Sequence, residues 1–202
     1  MQPASMNFIV VTTRINDAIM PNTATNQWLK EAIPCPSPNR DQRPGDTKIT
    51  LLVIHNISLP PGEFGGPWIQ DLFLNQLDPQ QHPYFQEIAQ LQVSAHMLIR
   101  RDGALIQFVP LEQRAWHAGA SCFQNQERCN DFSIGIELEG CDEKDFTDIQ
   151  YQVLAAATRS IQALYPAIEQ DHIVGHSDIA PGRKTDPGPH FEWDKYRALL
   201  NA

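Results

Sequence analysis

The chain has 202 residues, of which 42% are apolar and 19% charged, and carries a formal net charge of -9. This is the composition expected of a soluble globular domain, long enough to bury roughly 70% of its unfolded-chain surface. No run of about 20 apolar residues marks a bilayer span, and the acid excess disfavours phosphate-backbone binding, which needs a basic face to displace counterions. Neither a membrane nor a nucleic acid is therefore expected as a partner.

The first apolar run, N-F-I-V-V, precedes the first basic residue, Arg14, the reverse of a secretory signal, which predicts a cytoplasmic protein. Residues 1–24 show no clear period and read as a candidate disordered N-terminal extension, leaving 25–202 as a single domain. Cys35, Cys122, Cys129 and Cys141 lack C-x-x-C spacing and are expected to be scattered reduced thiols.

The polar, Pro-rich stretch from Pro34 to Gly45 reads as an extended arm, with the core beginning near Lys48. Lys48–His55, K-I-T-L-L-V-I-H, is nearly continuously apolar and β-branched, as in a strand buried on both faces, with His55 at its end. Asn56–Gly66 is loop chemistry, and Pro67–Leu77 spaces its apolar residues helically. Ala95–Ile99 and Ala104–Val109 flank a turn at Asp102-Gly103 and read as a hairpin. Phe132–Glu139 alternates as a strand, Asp148–Tyr165 reads as a helix ended by Pro166, His172–Gly175 as a short strand, and Phe191–Leu200 as a closing helix. Strands mixed with helices predict an α/β (α+β) domain, a mixed β-sheet packed by helices.

Between Gly175 and His190 the sequence places three prolines, three glycines, two histidines, two aspartates and a lysine in sixteen residues. A catalytic zinc wants three protein ligands and one open position. His55 and His176 both end strands, and Asp186 is braced by Pro187, so these three form the candidate set, with Asp178 a weaker rival for the third place. His172 is rejected: on a strand, four residues span roughly 13 Å, too far for His172 and His176 to share an ion. Glu137 sits between Ile136 and Leu138, where a carboxylate is costly unless it is used in chemistry or paired with a core Arg or Lys. Lys184 is either a solvated loop cation or a stabiliser of developing negative charge.

Five strings, V-I-H-N-I-S-L-P-P-G-E-F-G-G, S-A-H-M-L-I-R-R-D-G, R-A-W-H-A-G, E-R-C-N-D-F-S-I-G-I-E-L-E-G and G-H-S-D-I-A-P-G-R-K-T-D-P-G-P, resemble the zinc-dependent N-acetylmuramoyl-L-alanine amidases, and the first resembles their cytosolic branch. The resemblance implies a fold similar to the peptidoglycan-recognition domain, zinc held by His55, His176 and Asp186, Glu137 as general base and acid, and Lys184 at the oxyanion. It further implies hydrolysis of the amide between the lactyl group of 1,6-anhydro-N-acetylmuramic acid and the L-alanine of a stem peptide, in bacterial muropeptide recycling. Asn56, Trp116, His117 and Arg128 match substrate-binding positions of the family, although Trp116 is equally suited to core packing. Gln92 stands where the family is expected to carry Arg, which weakens any two-arginine reading of peptide binding. A muropeptide-recognition module without catalysis is the alternative on the same fold.

Overall fold

The structure, a computed structural model, describes residues 27–202, so the extension expected over 1–24 lies outside the described residues. In chain order its elements are β1 (Ile33–Pro34), β2 (Arg40–Gln42), β3 (Leu51–Ile57), α1 (Trp68–Phe73), α2 (Phe85–Ile88), β4 (Met97–Ile99), β5 (Leu105–Gln107), β6 (Gln113–Ala115), β7 (Cys122–Phe123), β8 (Gln126–Glu127), β9 (Ser133–Glu139), α3 (Asp148–Leu164), β10 (Ile173–Gly175), α4 (His176–Ile179) and α5 (Trp193–Leu200).

Six strands form one mixed sheet in the order β1-β5-β4-β9-β3-β10. Only β4 and β5 run antiparallel; this is the hairpin expected around Asp102-Gly103. The central pair, β3 and β9, is parallel and seven residues long, with His55 opposite Glu137. The expected α/β architecture, a mixed sheet packed by helices, is therefore present.

Side chains alternate across a strand, so β3 and β9 each offer two faces. Leu52, Ile54, Ile134, Ile136 and Leu138 point to one side and join Tyr151, Leu154 and Ile161 of α3 and Tyr196 of α5 in the main core. Burying each such aliphatic side chain stabilises the fold by about 1.5–3 kcal/mol before entropy is counted. The opposite side of the same strands carries Leu51, Val53 and His55, and Ser133, Gly135, Glu137 and Glu139. There the covering is divided: Phe132, Ala118 and Ile179 pack beside Leu51 and Val53, while α1 and α2 pack over β4 and β5.

Helix α3 begins at a capping box in which Thr147 accepts from the Gln150 amide and the Gln150 side chain accepts from the Thr147 amide. Gln150 also donates to the carbonyls of Ile99 and Glu139, which fixes α3 across β4 and β9. The arm from Pro34 to Gly45 is more than a lead-in: β1 pairs with β5 and β2 pairs with β6. Its asparagine, Asn39, is buried and donates to the carbonyls of Phe73 and Val93, so the arm is part of the domain. Among the described residues no helix is long and apolar enough to cross a membrane.

Candidate active site and metal centre

The parallel strands β3, β9 and β10 end on the same edge of the sheet, the edge where open α/β sheets place their ligands. His55 lies near the end of β3, Glu137 beside it on β9, and His176 directly after β10, as the first residue of α4. The loop from Ile179 returns to bring Asp186 to the two histidines. That loop is held by backbone and side-chain bonds: Ser177 N–H donates to the Asp186 carbonyl at 3.0 Å, and Asn56 donates to the Pro187 carbonyl at 3.0 Å. Gly188, at φ +81°, approaches Asp142 so closely that an added Cβ would lie 2.5 Å from its carboxylate.

His55 Nδ1 and His176 Nδ1 are 3.0 Å apart, and Asp186 Oδ2 lies 2.9 Å from the first and 3.0 Å from the second. Both rings are at most 3% exposed. His176 Nε2 faces the Ala118 carbonyl at 3.1 Å, an acceptor that holds the ring proton on Nε2 and leaves Nδ1 with its lone pair. Two imidazole nitrogens and a carboxylate oxygen thus converge, an acceptor-rich cluster that favours a cation. Tetrahedral N/O ligands of zinc stand about 3.3 Å apart, so the observed spacing fits a small metal ion closely. Burial pushes the His55 imidazole down to about 4, against the opposing hydrogen bond to Asp186, so it is neutral and able to ligate. Burial alone would raise Asp186, but its bonds to His176 and His55 outweigh this and hold it below the usual carboxylate range. Asp178, the rival third ligand, instead accepts from the Gly175 amide at 2.7 Å and is not in the cluster.

Glu137 is 8% exposed, and its Oε2 is buried with no hydrogen-bond partner among the described residues. Burial first, then the charge of Asp186, raises its carboxyl well above the ordinary value, with Lys184 opposing. The pairing with a core arginine that could have explained Glu137 belongs to Glu139: this carboxylate accepts from the Gly65 and Arg101 amides and lies 3.4 Å from Arg100. The two strand carboxylates have different environments, one satisfied and one open to the cleft.

A cleft of about 370 Å³ opens over the cluster and is lined by His55, Asn56, Trp116, Glu137, Lys184 and Asp186 among others. One wall is apolar, built from Leu72, Phe73, Tyr84, Ile88, Leu91 and Val93. The sequence reading missed this wall; the helical spacing of Leu72 and Phe73 was visible, but it reads equally as core. Asn56 lines the cleft while its amide is spent on Asp142, at 2.7 Å, and on Pro187. Trp116 is half-buried in the wall, its amide donating to Ser94 Oγ. His117 also reaches the cleft, but its Nδ1 meets His55 Nε2 at 2.9 Å, and burial followed by the neighbouring histidine charges lowers its pKa well below the usual value. Arg128 is not brought into this cleft. It sits in the left-handed region with its side chain 70% exposed, 3.3 Å from Asp131, and lines a neighbouring depression with Cys122, Ile179 and Arg183. Gln92 is exposed between two cleft-lining residues, Leu91 and Val93.

Residues 45–189 match the family described as N-acetylmuramoyl-L-alanine amidase. The chain belongs to that amidase family. Within the amidases it is 64% identical over 173 residues to the 1,6-anhydro-N-acetylmuramyl-L-alanine amidase AmpD of Salmonella typhimurium (strain SL1344), covering 86% of this chain and 92% of that one. It is 62% identical over 174 residues to the AmpD of Escherichia coli (strain K12), covering 86% and 94%. Among solved amidases, a crystal structure of a selenomethionine AmpD derivative superposes with a TM-score of 0.85 at 60% identity, over 87% of this chain and 98% of that one. The E. coli amidase AmiD, solved with the substrate anhydro-N-acetylmuramic acid-L-Ala-D-γ-Glu-L-Lys, superposes with a TM-score of 0.56 at 31% identity, over 79% and 60%.

Proposed function

We propose that this amidase hydrolyses the amide between the lactyl carbonyl of 1,6-anhydro-N-acetylmuramic acid and the L-alanine of a stem peptide, using zinc, in the bacterial cytoplasm as a step of muropeptide recycling. The observation that carries this reading is the convergence of His55 Nδ1, His176 Nδ1 and Asp186 Oδ2 beside an unpartnered buried carboxylate, Glu137, on the floor of the cleft. The high identity to enzymes named for that amide supports the choice of substrate.

His55, His176 and Asp186 would hold the zinc, and when bound there it supplies Lewis acidity, which polarises a carbonyl and acidifies water. Glu137 Oε2, free of other bonds, takes the proton of the attacking water and later returns one to the leaving amine of L-alanine. Burial, followed by the charge of Asp186, raises this carboxyl above its ordinary value, which strengthens it as a base. Lys184, exposed and lining the same cleft, would stabilise the oxyanion that develops on the carbonyl oxygen. The apolar wall and Trp116 would pack against apolar parts of the substrate and exclude water, while Asn56, bonded to Asp142 and Pro187, keeps the Asp186 loop in place. Arg128, exposed in the neighbouring depression, is left to meet a carboxylate farther along the stem peptide.

The test is mass spectrometry of an anhydro-muramyl tripeptide incubated with purified protein, with and without a chelator. Release of free tripeptide that the chelator abolishes is expected. Binding without cleavage in zinc-replete protein would favour a recognition module instead, and secretion of the protein in cell fractionation would contradict the cytoplasmic assignment.

A further inference from the structure

His117 stands immediately behind the candidate ligand His55, and its hydrogen bonds form a chain with a direction. If His55 Nδ1 is to ligate, the neutral ring carries its proton on Nε2. That Nε2 lies 2.9 Å from His117 Nδ1, which then accepts and carries its own proton on Nε2. His117 Nε2 lies 3.2 Å from Ser133 Oγ, an acceptor for that proton. Run the other way, from Ser133 through His117, the same chain leaves His55 Nε2 as an acceptor and puts the proton on Nδ1, against Asp186 Oδ2 at 2.9 Å, a form that cannot ligate.

The surroundings of His117 hold its ring in this role. The amides of His117 and Ala118 both donate to Asn130 Oδ1, at 3.1 and 2.8 Å, which fixes the turn that carries the ring. Gly135 leaves the space the ring fills: an added Cβ would lie 2.5 Å from its Cγ and Nδ1. Ser133, Gly135 and Glu137 alternate on one face of β9, so a single strand edge supplies the far end of the chain, the room for the ring and the candidate base.

We infer that His117 is a positioning residue for the metal site: by accepting from His55 Nε2 and donating to Ser133 Oγ, it holds His55 in the tautomer that offers Nδ1 to the metal. This rests on the zinc reading above. Outer partners of this kind contribute about 10–100-fold to metal affinity.

The test uses the full chain and zinc itself, with affinity read by competition against a chromogenic chelator and ring tautomers by 15N imidazole NMR. Zinc-loaded wild type is expected to show His55 and His117 both protonated on Nε2. His117→Ala is expected to bind zinc about 10–100-fold more weakly. His117→Asn, whose side-chain oxygen replaces Nδ1 as acceptor, should recover most of that loss, a rescue that a space-filling role would not give. Thermal unfolding of the metal-free variants checks that each is folded; should His117→Ala not fold, the tautomers of the wild type decide. Wild-type affinity in His117→Ala, or a proton on His117 Nδ1 in the zinc-loaded protein, overturns the inference alone. Wild-type affinity in His55→Ala overturns the zinc reading beneath it.

Discussion

The two faces of the central strands β3 and β9 are built to different rules. On one, Leu52, Ile54, Ile134, Ile136 and Leu138 meet the apolar residues of α3 and α5. On the other, one register step away, the same strands carry His55, Ser133, Gly135, Glu137 and Glu139, all buried and mostly hydrogen-bonded. The first face contributes stability through burial and can absorb conservative apolar changes. The second places charges and lone pairs at fixed positions, at a desolvation cost that is offset only where partners exist. Glu137 Oε2 lacks one among the described residues, and it is there that we propose the chemistry takes place.

Changes on the second face should therefore alter function more than stability. Glu137→Gln is expected to lower kcat by about 10²–10⁴-fold in a steady-state assay while zinc content is unchanged. The same substitution sharpens the energetic side. Because the folded carboxyl is raised, its contribution to stability is fully present below the unfolded value and is lost as pH rises through the folded one. Metal-free Glu137→Gln should accordingly be more stable than the metal-free wild type near neutrality, and urea melts should show that advantage vanish as the pH falls below about 4.

The first face should behave in the opposite way. Leu138→Ala, at a fully buried position, is expected to cost about 2–5 kcal/mol in urea unfolding while kcat of the folded fraction stays unchanged. Gly135→Ala crosses the boundary between the two behaviours: its Cβ displaces the His117 ring, so about 1–3 kcal/mol of stability and part of the zinc affinity should go together. The smallest effect is expected of Asn56→Ala, which removes one bond to the Asp186 loop, at the Pro187 carbonyl, and one to Asp142, worth about 0.5–1.5 kcal/mol each, with a raised KM in steady-state kinetics.

The sequence made the second face legible where a residue contradicted its surroundings. A carboxylate between Ile136 and Leu138, and histidines closing two apolar runs, needed a reason to be there, and the parallel pairing of β3 with β9 and β10 brings all three to one edge. The arm was not legible, because β1 and β2 are two and three residues long and owe their pairing to β5 and β6, some seventy residues away. Nor was the position of Arg128, whose left-handed backbone turns it out of the cleft. The link from His117 to His55 and Ser133 depends on distances across three separate segments, which no local pattern encodes.

The central claim is that the polar face of the sheet holds a single zinc ion among His55, His176 and Asp186. Anomalous diffraction at the zinc edge, on crystals grown from zinc-replete protein, tests it most directly. One anomalous peak within bonding distance of His55 Nδ1, His176 Nδ1 and an Asp186 oxygen is the predicted result; no peak there, or a peak elsewhere in the molecule, would contradict the account.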